Sequence, residues 1–177
     1  YDMSSNIVVY DIEKHEILLN TKLFGTDSFE TFPTFSPDGK QLYYCSAEPV
    51  TMPDSIHQLK YSLCSISFDA ETRTFGQTDT LYNAAKENGS ISFPRISPDG
   101  KYLMYTHSGY ATFPIWHDDA DLYMLDLQTK KKKILSLANS DKTESYHSWS
   151  SNSRWVIFSS RRIDGLHTRP YITYINH

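Results

Sequence analysis

The sequence predicts an all-β chain: a partial β-propeller of four-stranded antiparallel blades, two of them complete, with partial blades at both ends. Three observations carry this. The segment Phe32-Pro-Thr-Phe-Ser-Pro-Asp-Gly-Lys-Gln-Leu-Tyr-Tyr returns as Phe93-Pro-Arg-Ile-Ser-Pro-Asp-Gly-Lys-Tyr-Leu-Met-Tyr, and again, degraded, as Tyr146-His-Ser-Trp-Ser-Ser-Asn-Ser-Arg-Trp-Val-Ile-Phe. A second series is interleaved with the first: Val9-Tyr10-Asp11-Ile12, Ser67-Phe68-Asp69-Ala70 and Met124-Leu125-Asp126-Leu127. The apolar residues sit in short runs bounded by turn residues, and no stretch sustains a helical period.

Each element follows in order. Asn6 to Ile12 and Glu16 to Leu23 read as the last two strands of a blade (residues 6–24). In the next blade (32–82), Pro33 is expected to hold Phe32 extended, so Phe32 to Ser36 is a strand. Pro37-Asp38-Gly39 is then a tight turn. Proline presets φ, Asp bonds back to the backbone, and Gly takes a positive φ. Gln41 to Ser46, Leu63 to Phe68 and Thr78 to Tyr82 complete the blade. The third (93–138) repeats it with Phe93 to Ser97, Tyr102 to Thr106, Leu122 to Leu127 and Lys133 to Leu137. Ala84 to Glu87 has room for one helical turn. Tyr146 to Ser160 and Pro170 to Ile175 give three strands of a last, partial blade (146–177). There Ser151-Asn152-Ser153 replaces Pro-Asp-Gly, and a looser or reshaped turn is expected. The chain reads as one arc of a larger ring, with the remaining blades of a parent chain as its neighbours. Opening at Tyr1 with no charged and apolar leader pattern, it reads as a processed or excised piece.

Composition excludes several classes. With 13 Tyr, 9 Phe and 3 Trp in 177 residues, the chain has far too much apolar ring surface for intrinsic disorder. A net charge of -4 leaves no footprint for nucleic acid. No apolar run approaches the roughly 20 residues that cross a bilayer as a helix. Lys130 to Lys133 reads as a solvated hairpin tip. Two cysteines make neither a disulfide framework nor a four-cysteine zinc site. Cys45 and Cys64 fall on neighbouring strands, and register decides whether they can bridge.

The Ser-Pro-Asp-Gly-Lys turns at 36–40 and 97–101, the strand Asp121-Leu-Tyr-Met-Leu-Asp-Leu and the stretch Phe158-Ser-Ser-Arg-Arg-Ile-Asp-Gly together resemble the TolB-type β-propeller repeat, a WD40-like family. The resemblance implies the fold and an extracytoplasmic setting, the bacterial periplasm. It implies no single activity, since this repeat serves scaffolds, peptidase gating domains and a few lyases.

Propeller connectivity sorts the loops. Turns between strands one and two and between three and four are short here. The others are long: Ala47 to Leu59, Asn83 to Ser92, His107 to Ala120, Ala138 to Ser145 and Arg161 to Arg169. Sites concentrate on loops held by a rigid scaffold, so the long-loop face is the expected binding face. Its candidate ligand-binding residues are His107, Tyr110, Trp116, His117, His147, Arg161, Arg162, His167 and Arg169. Aromatics beside arginine and histidine suit a peptide, a protein surface or a glycan. His147 stands where the repeat has Pro33 and Pro94, so the repeat does not explain it. His107 and His147 come from adjacent blades and are expected to reach one bound group. With Asp118 or Asp119 they faintly resemble the strand-end histidines that hold metal in oligogalacturonate lyases. Their spacing is no metal motif, so neither a metal ligand nor a cofactor is assigned. Trp149, Tyr44, Tyr105 and Phe158 are expected in the core. Catalytic motifs are missing: no Gly-x-Ser-x-Gly, His-Glu-x-x-His or phosphate loop occurs. The first reading is a non-catalytic binding scaffold. The second is an enzyme, either a metal-dependent lyase or the gating propeller of a larger peptidase.

Overall fold

A computed structural model describes residues 5–20, 23, 28–51 and 53–176. Its strands form four antiparallel sheets. The first pairs β1 (Val9–Asp11) with β2 (Glu16–Leu18). The second runs β3 (Phe29–Phe35), β4 (Gln41–Ala47), β5 (Ser62–Asp69), β6 (Thr74–Tyr82). The third runs β7 (Ser90–Ile96), β8 (Tyr102–Ser108), β9 (Asp121–Asp126), β10 (Lys132–Ile134). The fourth has three strands, β11 (Glu144–Trp149), β12 (Trp155–Ser160) and β13 (Arg169–Tyr174). The single described α-helix, α1, is one turn, Ala84–Glu87, capped by the Asn83 side chain accepting from the Lys86 N–H. This is the expected partial propeller. Of the expected strand Glu16 to Leu23, Thr21 and Lys22 lie outside the described residues.

Sheets stack face to face, and strand alternation decides which neighbour each side chain meets. On β4, Leu42 and Tyr44 turn toward the first sheet, where they cluster with Ile7, Leu23, Cys64 and Ile66. Tyr43 and Cys45 turn the other way, into a cluster with Leu63, Ile91, Leu103, Tyr105 and Leu125. Met104 and Val156 meet between the third and fourth sheets. Tyr44, Tyr105 and Phe158 are buried as expected. Trp149 is half-buried, its Nε1–H donating to the Arg95 carbonyl at 3.1 Å. Phe35 is 39% exposed and leans on Phe68 rather than filling a core. The same alternation separates the cysteines. Cys45 pairs with Leu63, and Cys64 with Tyr44. The two thiols therefore lie on opposite faces of one sheet, both free and both buried.

The repeated turns are hydrogen-bond machines. Asp38 Oδ1 accepts from the Ser36 hydroxyl (2.6 Å) and the Lys40 N–H (3.1 Å), while the Gln41 N–H donates to Ser36 Oγ. Ser97, Asp99, Lys101 and Tyr102 repeat this set. The third copy does too, against expectation. Asn152 Oδ1 accepts from Ser150 and from the Arg154 N–H, and Ser153 takes the glycine's place at φ 59°. An amide oxygen accepts as a carboxylate does, and a small residue tolerates the left-handed region. Ser153 Oγ also accepts from the Asp99 N–H at 3.0 Å, tying this turn to its neighbour. The interleaved series has its own cap. Asp11, Asp69 and Asp126 each accept two backbone N–H groups two and three residues on. Those bonds hold all three carboxyls below the usual range.

Phe32 is not extended. Phe32, Phe93 and Tyr146 all adopt a left-handed φ, of 54°, 51° and 50°, at a bulge where pairing with the second strand slips. The Phe93 ring contacts Phe32 on one side and Tyr146 on the other, at 4.3 and 4.7 Å between centroids. The bulge re-aims one aromatic per sheet along the inner strands. Lys132 is likewise no solvated tip, for it pairs with Glu87 and lies 4.8 Å over the Tyr82 ring.

Candidate functional site

The connection between β8 and β9 dominates the long-loop face. Backbone bonds pin it on both sides. Ala111 N–H donates to the Leu59 carbonyl at 2.7 Å, and the Ser90 hydroxyl donates to the Ala111 carbonyl. On the other side Thr143 Oγ1 donates to the His117 carbonyl, and the Glu144 N–H to the Ala120 carbonyl, both at 2.7 Å. The loop therefore spans from the second sheet to the fourth as a rigid bridge.

Two of the candidates, Tyr110 and His117, meet on this bridge, with a second histidine, His57. Tyr110 is held edge-on between His57 (4.4 Å between centroids) and His117 (4.3 Å). His117 is buried, its Nδ1 lies 3.7 Å from Asp119, and burial holds its pKa down. A second pair forms further along. Trp116 is 77% exposed, and the Arg161 guanidinium lies 5.5 Å from its ring centroid. Arg161 is steadied by Thr168 Oγ1, which accepts from its Nε at 3.3 Å. Beside this pair, Ile115, Thr143, Ser145, Ser159, Ser160, Arg161 and Thr168 line a groove of only about 140 Å³. His167 and Arg169 converge on Asp164, whose carboxylate also caps the N–H groups of Leu166 and His167.

The other candidates do not belong to this face. His107 and His147 share no site. His107 turns toward the second sheet, bonded through Nε2 to the Tyr82 hydroxyl at 3.1 Å and packed against Tyr82 and Tyr123. His147 lies on the opposite side of the third sheet, 3% exposed, with Nε2–H donating to the Met104 carbonyl at 3.1 Å. That bond fixes the tautomer and leaves Nδ1 without a partner. Arg162 is also spent internally. It bonds Ser160, the Ala138 carbonyl and Glu144, and stacks 4.4 Å from the Tyr171 centroid. Among the described residues no group of three or more His, Cys, Asp or Glu side chains converges as metal ligands.

Sequence reasoning passed over two buried carboxyls. Glu144, 0% exposed, accepts from the Ser140 N–H and hydroxyl, the Ser160 hydroxyl and Arg162. Glu30 is 5% exposed between the first and second sheets, with Oε2 unpartnered and its pKa pushed up to about 7 by burial. The signal lay in the repeat: Glu30 and Glu144 both stand where the third sheet has Ile91. The Asn88-Gly89-Ser90 tripeptide reads as a turn. The Ser90 hydroxyl is fully engaged, and any side chain at Gly89 would strike His107 Nε2.

No protein-family model matches the chain, and no curated protein does. Among solved structures, hydrazine synthase of Kuenenia stuttgartiensis is similar, at 17% identity and a TM-score of 0.52, over 90% of this chain and 44% of that one. The polysaccharide lyase Uly1 follows at 13% identity and 0.49, over 83% and 38%. An oligogalacturonate lyase in complex with manganese gives 12% and 0.42, over 93% and 58%. The chain thus spans less than half of the hydrazine synthase chain. That likeness is one of fold alone, and the looser ones to the lyases add nothing to it.

Proposed function

We propose that the chain is a binding scaffold of TolB-like type whose long-loop face takes a protein or peptide partner. One observation carries the reading: Trp116 is held 77% exposed beside Arg161 on a loop pinned to the sheets on both sides. A large ring left in water on a rigid base is unfavourable unless something covers it. Trp and Arg are also the residues that dominate binding energy at protein interfaces. The surface projects rather than encloses. Its groove is well under the roughly 300–1,000 Å³ of small-molecule sites. Phe113, Ile163 and Leu166, all exposed, add apolar area on the same loops. An extracytoplasmic setting is part of the proposal and rests on the repeat resemblance. No described helix is long and apolar enough to cross a membrane.

A displayed random-peptide library panned against the protein tests this. Selected peptides should bind Trp116→Ala and Arg161→Ala at least about tenfold more weakly, and bind Leu137→Ala, changed at an exposed residue of another loop, as they bind the parent. Binders indifferent to both Trp116→Ala and Arg161→Ala would overturn the reading.

A further inference from the structure

The face that the second sheet turns toward the third is polar at its short-turn end. There Tyr43 pairs with Ser65, and Ser65 with Asp79, in one row across β4, β5 and β6. Two residues along, Gln41 pairs with Ser67, and Gln77 stands beyond them on β6. The repeat does not call for this. The third sheet fills the Tyr43 and Ser65 positions with Met104 and Met124, both in the apolar cluster around Val156. The opposite face of the second sheet carries Leu42, Tyr44, Cys64 and Ile66.

The two sheets do not close over these rows. With Leu127 and Lys130 opposite, the rows line a cleft of about 450 Å³, inside the roughly 300–1,000 Å³ of small-molecule sites. Tyr43 and Ser65 are each 7% exposed, yet among the described residues neither hydroxyl has a hydrogen-bond partner. A hydroxyl so nearly shut from water is unfavourable without one, and these two stand side by side facing the cleft. Burial and the Asp38 charge push the Tyr43 pKa up, so its hydroxyl keeps a proton to donate.

We propose that this cleft binds a neutral sugar unit, at the end of the sheets away from the long-loop surface. The chemistry of the lining selects that class. Tyr43, Ser65, Ser67, Gln41 and Gln77 are uncharged, and each both donates and accepts, as sugar hydroxyls do. Asp79 and Lys130 add one charge of each sign, which disfavours an anion as much as a cation. Leu127 gives an apolar wall for the C–H face of the ring. The rows lie about 7 Å apart and cross three strands, a footprint that one sugar ring with its hydroxyls covers.

The test is saturation-transfer NMR on the whole chain with three probes, D-glucose, D-galactose and D-mannose, then titration of whichever gives the strongest signal. At least one should bind. Ser65→Ala, which removes a hydroxyl from the cleft floor, and Asp79→Ala, changed at an exposed residue, should each weaken that binding by about tenfold. Leu137→Ala, on another loop, should bind as the parent does. Thermal unfolding checks that each variant is folded. No transfer to any of the three sugars, a cleft that holds water only, would overturn the proposal. So would binding untouched by both cleft variants, which places the sugar elsewhere. Stronger transfer to glycine would overturn it too, because a zwitterion matches Asp79 and Lys130 rather than the hydroxyl rows.

Discussion

Between the first and second sheets lies Glu30; between the third and fourth lies His147. Glu30 stands where the third sheet carries Ile91, and His147 where the second and third carry Pro33 and Pro94. Both are nearly inaccessible, and both keep one polar atom without a partner, Oε2 and Nδ1. Burial disfavours the charged form of each, so it raises the acid to about 7 and lowers the base to about 4. The consequence for stability runs in opposite directions. Glu30's contribution is whole below its ordinary value of 4.5 and is lost as pH rises through about 7. His147's is whole above its ordinary 6.5 and is lost as pH falls through about 4. One kind of defect, an ionisable group in an apolar seam, makes one joint alkali-sensitive and the other acid-sensitive.

The comparison can be broken at its strongest point. Glu144, at the loop end of the fourth sheet, is as buried as Glu30 but fully partnered. Arg162→Ala should therefore lower stability by about 3–5 kcal/mol in chemical denaturation, because it strands a buried carboxylate. A loss below about 1 kcal/mol would show that the partnering matters little. Next, hydrogen exchange corrected for intrinsic rates should show the two seams responding oppositely. Amides around Val9–Asp11 should gain protection from pH 8 to pH 6, while those of Glu144–Trp149 should lose it from pH 6.5 to pH 4, each by a few kcal/mol at most. Parallel responses would refute the assignment. Glu30→Gln sharpens the point. It should flatten the first response, stabilise the protein at pH 8 by about 1–2 kcal/mol and leave the second response alone. The smallest effect is expected at the joint between turns. Ser153→Ala loses the bond to Asp99 and keeps the left-handed φ, for about 1 kcal/mol. Ser153→Gly should cost less, since glycine relieves that φ.

The sheets were readable in the sequence because turn chemistry and strand alternation are local. The expected β4, β7 and β8 lie within a few residues of those observed, and the fate of Cys45 and Cys64 needed only their pairing register. The site was less readable. Which side of a strand faces which neighbour depends on a bulge, and the bulge at Phe93 and Tyr146 leaves no mark beyond the aromatic itself. His107 and His147 looked adjacent along the loop face for that reason, though a whole sheet separates them. Arg162 looked like its neighbour Arg161, yet one residue of alternation sends the first to Glu144 and the second to Trp116. Glu30 and Glu144 were visible only as charges breaking a column of the repeat, and that column becomes clear once pairing fixes the alignment upstream of Phe32.

The turn at Ser150 to Arg154 has a consequence for how such chains change over time. Proline, aspartate and glycine have all been exchanged there, and every hydrogen bond of the motif survives, with one more gained across to Asp99. Spelling and geometry are thus separable in this unit. What selection can hold constant is an acceptor oxygen at one position and a small residue at another, a requirement met by several residue pairs. Copies can drift until their letters no longer align while still stacking against their neighbours. A count of repeats taken from the letters alone would then fall short of the count present in the folded chain.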